Sequence, residues 1–310
     1  MPEGARNDFS RDPAARRLVA GDLEAVFLPN RGMLGASLRH RDVEMLRRVD
    51  DLAGSAAKGS TAGIPLLHPW ANRLADCHYR AGGKDVGLDP SSPLLHLDGH
   101  GLPIHGVPWS RLTWEVREAT PRRLTACLDW TRSDWLAIFP FPHRLEITAV
   151  LDAQSLRVDT VLLAGTGGPV PVSFGFHPYF GIAGVPRREW QLSLPAMQRL
   201  RLDAHGIPTG DAERFERFDH VLADRGFDDG FALQGERASF SLTGGGLCIR
   251  VDFIAGYRYA QVFAPPADDF IALEPMTAPT SALTHGRGLA IVPPGGRFDA
   301  AFSVSIGPSA

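Results

Sequence analysis

Cysteine is scarce in this 310-residue chain: Cys77, Cys127 and Cys248 are too few and too widely spaced for a disulfide framework, and no two form a CxxC pair. Such usage excludes a disulfide-built fold and fits a reducing compartment. Lysine is scarcer still, with only Lys58 and Lys84, an arginine bias that reads as coding composition rather than function. No run approaches the ~18 apolar residues of a membrane span, and the polar opening Met1-Pro2-Glu3-Gly4-Ala5-Arg6-Asn7-Asp8 lacks the apolar core of a signal peptide. A soluble, cytoplasmic protein with no membrane partner is expected. Lys and Arg total 32 against 35 Asp and Glu, and the basic residues are scattered in pairs such as Arg47-Arg48, Arg122-Arg123 and Arg187-Arg188, which argues against a nucleic-acid footprint. Nucleotide motifs are missing too. Gly165-Thr166-Gly167-Gly168-Pro169 fails the dinucleotide pattern, Gly82-Gly83-Lys84-Asp85 lacks the Ser or Thr of a phosphate loop, and there is no serine nucleophile elbow. No cofactor is called for, and the oligomeric state stays open.

Alternating apolar positions are what the chain has in abundance. Leu124, Ala126, Leu128 and Trp130 form one set, Leu156, Val158 and Leu162 a second, and Leu247, Ile249, Val251 and Phe253 a third. Each reads as a half-buried strand. Phe298, Ala300, Phe302, Val304 and Ile306 repeat the pattern, so the last strand is expected to close the sheet system. Turn signals such as Pro29-Asn30-Arg31-Gly32, Gly244-Gly245-Gly246 and Pro293-Pro294-Gly295-Gly296 separate the runs, and 33 Gly with 25 Pro leave little room for long helices. The best helical stretch is 211–222, short and polar. These patterns predict an all-β fold, a large antiparallel β-sandwich, with residues 1–310 as one domain and residues 1–17 loosely attached.

Two segments immobilise titratable side chains. In Ser173-Phe174-Gly175-Phe176-His177-Pro178-Tyr179-Phe180 an imidazole is wedged among aromatics, where lost solvation disfavours its charged form. A core histidine satisfied by one hydrogen bond is the alternative. In Leu273-Glu274-Pro275 a carboxylate ends an apolar run, and the proline biases it toward extended geometry, so Glu274 is expected at a strand end. A strand-end Glu capping exposed backbone is the alternative there. A fixed His and a fixed Glu suit general acid and base catalysis.

Upstream, Pro69-Trp70-Ala71-Asn72-Arg73 and Ile104-His105-Gly106-Val107-Pro108-Trp109 place amide, guanidinium and imidazole groups beside indoles. That combination suits a sugar, whose hydroxyls need directional partners and whose C–H faces pack on aromatics. For Arg73 a surface or ion-paired role is the competing reading. His96, His100 and His105 lie four and five residues apart; on a strand these offsets put side chains on opposite faces, so no metal is expected.

Taken in order, Pro69-Trp70-Ala71-Asn72-Arg73, Ile104-His105-Gly106, Phe176-His177-Pro178-Tyr179-Phe180, Asp228-Asp229-Gly230-Phe231 and Leu273-Glu274-Pro275 resemble the aldose 1-epimerase (galactose mutarotase) family over about residues 18–306. The resemblance implies an antiparallel β-sandwich and a cofactor-independent isomerase acting on a small-molecule sugar. It implies Glu274 as base and His177 as acid, with Asn72, Arg73, His105 and Asp228 binding the sugar. Asp228 is preferred to Asp229 for its three-residue offset to Phe231, and either could instead form a turn before Gly230. Around His105 the chain departs from better-known mutarotases, because Gly106-Val107-Pro108-Trp109 replaces a longer glycine-containing loop; the changed wall could select another aldose, a phosphorylated sugar or a longer glycan. A non-catalytic carbohydrate-binding protein on the same fold is the rival reading, and a metal-dependent sandwich enzyme the third.

Overall fold

The computed structural model describes residues 12–47 and 61–309. It opens with an antiparallel meander of β1 (Arg16–Ala20), β2 (Leu23–Leu28), β3 (Leu34–His40) and β4 (Val43–Glu44). Short β5 (Leu66–Leu67) and the hairpin β6 (His78–Ala81) and β7 (Lys84–Gly87) precede the long strands β8 (Glu115–Ala119), β9 (Arg123–Trp130), β10 (His143–Leu151) and β11 (Ser155–Ala164). After β12 (Val170–Val172) come two very short strands, β13 (Gly175–Phe176) and β14 (Tyr179–Phe180). The second half runs through β15 (Gln191–Leu194), β16 (Met197–Leu202), β17 (Pro208–Phe215), β18 (Phe218–Val221), β19 (Phe227–Ala232), β20 (Ala238–Gly244), β21 (Leu247–Ala255), β22 (Tyr259–Ala264), β23 (Ile271–Met276), β24 (Ala290–Val292) and β25 (Arg297–Pro308).

Two sheets form the antiparallel sandwich. The nine-stranded sheet has the order β18-β15-β20-β21-β25-β11-β10-β9-β8, and the other runs β17-β16-β19-β22-β23-β13-β5 with β14 also on β23. The alternating residues noted above line the interface: Leu124, Ala126, Leu128 and Trp130 of β9, Leu156, Val158 and Leu162 of β11, and Ala300, Phe302 and Val304 of β25 are all buried in one cluster. Phe176 of β13 meets Phe302 of β25 at 5.1 Å between ring centres, which joins the inner faces of the two sheets. Among the described residues no helix is long and apolar enough to cross a membrane.

Three expectations change. Residues 211–222 are not helical: they fall on β17 and β18, edge strands of different sheets. The stretch is polar because its side chains face solvent and pair across strands, as when Arg199 Nε donates to Glu213 Oε1 at 2.8 Å in the register Arg199↔Glu213. The last strand does not bound its sheet; β25 lies in the middle, between β21 and β11. At the amino terminus, residues 1–11 lie outside the described residues, whereas Arg16 and Arg17 already belong to β1, paired with Phe27 and Val26.

Candidate active site

Period-two geometry sorts the second sheet into a core face and an outer face. Along β23, Leu273 belongs to the sandwich core, so Glu274 projects from the opposite side; along β22, Val262 is core and Gln261 and Phe263 project outward. β13 delivers Phe176 to the core, and the next residue, His177, to the outer face.

The strand registers then bring the titratable groups together. β13 pairs Gly175↔Met276 and β14 pairs Tyr179↔Ala272, so His177, midway on one side, stands opposite Glu274, midway on the other. The ladder is interrupted between these pairs at His177-Pro178. Pro275, which has no N–H to donate, faces this interruption, and that is how β23 continues past Glu274 to Met276 instead of ending at the carboxylate as expected. On the other flank Glu274 pairs with Gln261, and Gln261 with Gly230. One row across the sheet therefore reads Gly230, Gln261, Glu274, His177.

His177 Nε2 lies 3.3 Å from Glu274 Oε1 and 3.1 Å from the Tyr179 hydroxyl, and the His177 and Tyr179 rings stack at 4.2 Å. The Tyr179 hydroxyl also contacts Thr61 Oγ1. Glu274 and His177 are only 2% and 5% exposed. Burial pushes the Glu274 carboxyl well up, reinforced by the charge of Asp228 and opposed by Arg73. Burial likewise pushes the His177 imidazole well down, with the nearby His105 and Arg47 acting in the same direction. Neither group tolerates a charge alone, so the pair as a unit holds one proton, as either Glu–COOH with neutral imidazole or carboxylate with imidazolium.

Loops from outside the sheet complete the wall. Asn72 and His105 both have left-handed backbone, with φ of 55° and 63°, and the His105 N–H donates to the Asn72 carbonyl at 2.9 Å. Gly106 is needed beside them, because a Cβ there would stand 2.3 Å from the His68 carbonyl oxygen. Asn72 Oδ1 accepts from the Arg73 backbone N–H at 2.9 Å and from Nη1 at 3.2 Å, and Arg73 Nε donates to Asp98 Oδ2 at 2.6 Å. The guanidinium is thus fixed in direction before any ligand arrives. His105 meets His177 edge to face at 5.3 Å, and burial with the charge of Arg73 holds its imidazole below the ordinary range.

The two aspartates separate by face. Asp228 lies two residues from Gly230, on the outer face, and accepts from Gln261 Nε2 at 2.7 Å; Asp229 points the other way, with Arg199 Nη1 3.7 Å from its Oδ1. An even offset along the strand, not the three-residue offset to Phe231, puts Asp228 with Glu274. His100 and His105 have different neighbours: the His100 ring meets His205 at 5.1 Å, away from the contact between His105 and His177. Asn72, Arg73, His105, His177, Asp228 and Glu274 thus gather around one face of the sheet.

Several residues were not singled out from the sequence. Gln261 bridges Asp228 toward Glu274, Asp98 anchors Arg73, and Phe263, partly exposed, presents its ring edge-on to His177 at 6.3 Å. Phe263 and Gln261 alternate in Ala260-Gln261-Val262-Phe263, a pattern that marks a shared face once β22 is recognised. Asp98 carries no comparable signal. Glu274 Oε2, His105 Nδ1 and His177 Nδ1 are buried without hydrogen-bond partners among the described residues. Such atoms, beside a fixed guanidinium and an aromatic edge, suit a polyhydroxylated ligand.

The chain is similar to the uncharacterized protein YihR of Escherichia coli (strain K12), 24% identical over 249 residues that cover 75% of this chain and 77% of that one. It is 27% identical to the aldose 1-epimerase of the same organism over 144 residues, 45% of this chain and 38% of that enzyme. Its fold matches the crystal structure of the Slr1438 protein from Synechocystis sp. PCC 6803 with a TM-score of 0.78 and 25% identity, over 96% of both chains. The family model for aldose 1-epimerase matches residues 26–305, nearly the whole sandwich, and the chain belongs to that family.

Proposed function

We propose that the protein is an aldose 1-epimerase that interconverts the α and β anomers of an aldose through His177 and Glu274. The observation that carries this reading is their buried cross-strand contact at 3.3 Å. Anomer exchange requires the cyclic hemiacetal to open: the C1 hydroxyl loses a proton, the ring oxygen gains one, and the bond from C1 to the ring oxygen breaks. Both oxygens are attached to the same carbon. A base and an acid a hydrogen-bond length apart are therefore correctly spaced to serve them.

In the carboxylate and imidazolium form of the pair, Glu274 takes the hydroxyl proton while His177 protonates the ring oxygen. The products are the open aldehyde, Glu274 as the acid and His177 as neutral imidazole. The proton held by the pair has moved from one member to the other through the sugar. Rotation about C1–C2 and reclosure with roles reversed restores the starting state. Each positioned proton-transfer group contributes about 10²–10⁴-fold. Arg73 and His105 hold sugar hydroxyls and stabilise charge developing on oxygen, and Asp228, through Gln261, fixes the far side of the ring.

The test is anomer exchange measured by NMR at equilibrium for a panel of aldoses. Enzyme-dependent exchange cross-peaks between α and β signals support an epimerase and rank its substrates. Saturable binding without exchange marks a carbohydrate-binding protein instead.

A further inference from the structure

We infer that Arg47 is a specificity-determining residue that favours aldoses carrying an anionic group on C6. This rests on the epimerase reading for the orientation of the sugar. The backbone of Arg47 is tied to the site: its N–H donates to the Tyr179 carbonyl at 2.9 Å, next to the bridge between Leu46 and Phe180. Its exposed side chain does not extend freely into solvent. The guanidinium lies 4.2 Å from the centre of the Phe270 ring and 5.9 Å from that of Tyr179, the ring that stacks on His177. Aromatic packing of this kind holds the planar cation in place and leaves its N–H fork available.

Other arginines are already paired, as Arg73 is with Asp98 and Arg199 with Glu213. Arg47 has no carboxylate within salt-bridge distance and donates no side-chain hydrogen bond among the described residues. Its charge is nonetheless felt at both His177 and Tyr179. Among the described residues it is an uncommitted, pre-positioned cation one stacked ring away from the proposed acid.

The chemistry of the sugar indicates which substituent would reach it. His177 serves the ring oxygen, and the carbon bonded to that oxygen on the side away from C1 is C5, which carries C6. A group on C6 therefore leaves the ring on the His177 side, toward Tyr179, Phe270 and Arg47. A phosphate, sulfate or carboxylate there would accept charge-assisted hydrogen bonds that a neutral hydroxymethyl cannot match.

The experiment compares glucose and galactose with their 6-phosphates, together with glucose 6-sulfate and glucuronate, for binding by calorimetry and for anomer exchange by polarimetry. Wild type, Arg47→Gln and Arg47→Lys are tested. We expect wild type to bind the 6-phosphate about 10- to 100-fold tighter than the parent sugar, the range for a charge-assisted hydrogen bond, and Arg47→Gln to abolish most of that preference. Arg47→Lys should retain part of it, and the sulfate and carboxylate arms rank the anions. An absent preference in wild type, or an unchanged ratio in Arg47→Gln, overturns the inference. Failure of the epimerase reading would look different: no sugar would exchange faster with wild type, while the binding ratio still decides the role of Arg47.

Discussion

His177 and Glu274 are cross-strand neighbours, set opposite each other where the ladder between β23 and the pair β13 and β14 is interrupted. Proline follows each of them, and both side chains leave the sheet on the face turned away from the core. Replacing the imidazole while preserving hydrogen bonding tests its role as acid. His177→Asn should lower kcat by about 10²–10⁴-fold with a much smaller change in KM. Steady-state polarimetry gives both constants; a rise in KM alone would make His177 a binding residue.

The shared proton sets the pH dependence. Adding a second proton to the pair means charging His177, which burial opposes, and removing the shared proton means ionising Glu274 alone, which burial also opposes. The working one-proton state should therefore extend beyond the window between about 4.3 and 6.5 that ordinary carboxylate and imidazole values would bracket. A profile of kcat/KM, corrected for the uncatalysed rate, should show a broad plateau. A narrow bell centred inside that window would mean that the two groups titrate as if exposed.

Arg73 depends on Asp98 for its direction. Asp98→Asn removes the charge that holds the guanidinium and should lower kcat/KM by about 10-fold, with Arg73→Ala costing about 10- to 100-fold, in keeping with charged hydrogen bonds. Combining the two should cost little more than Arg73→Ala alone. Additive effects in that double-mutant cycle would show that Asp98 acts independently of Arg73.

A second buried pair lies in the core, apart from the chemistry. His143 Nδ1 donates to the Phe141 carbonyl at 2.6 Å, and its Nε2 lies 3.0 Å from His68 Nε2. Burial pushes His143 down to about 4 and His68 well below the ordinary value. The folded-state values are depressed, so the unfolded chain takes up protons first as pH falls. The stability is whole above about 6.5 and is lost as pH drops toward 4, with His143 accounting for roughly 3 kcal/mol. Urea unfolding between pH 7.5 and 4.5 should show this decline, and His143→Gln should flatten it; an unchanged slope would remove the pair as the cause.

How much could be read before the fold was known follows from how local each signal is. His177 and Glu274 were legible because aromatics and prolines adjacent in sequence restrain them. The long alternating strands were legible because the apolar period of β9, β11, β21 and β25 is itself local. Residues 211–222 misled because polar edge strands, whose partners lie elsewhere, have no apolar alternation to distinguish them from a short exposed helix. Gln261 and Asp98 were not visible at all. Their importance arises from a cross-strand register and a loop contact, which only the fold supplies. The choice of Asp228 over Asp229 was available in principle, since alternating faces of a strand distinguish neighbours that a three-residue offset does not.

The central claim is that Glu274 takes the proton of the C1 hydroxyl, and optical rotation of freshly dissolved α-anomers with wild type and Glu274→Gln tests it most directly. Wild type should speed equilibration of at least one aldose, and Glu274→Gln, nearly isosteric in its buried row, should fall by about 10²–10⁴-fold while unfolding at a similar denaturant concentration. Turnover by Glu274→Gln close to that of wild type would contradict the assignment of Glu274 as the base.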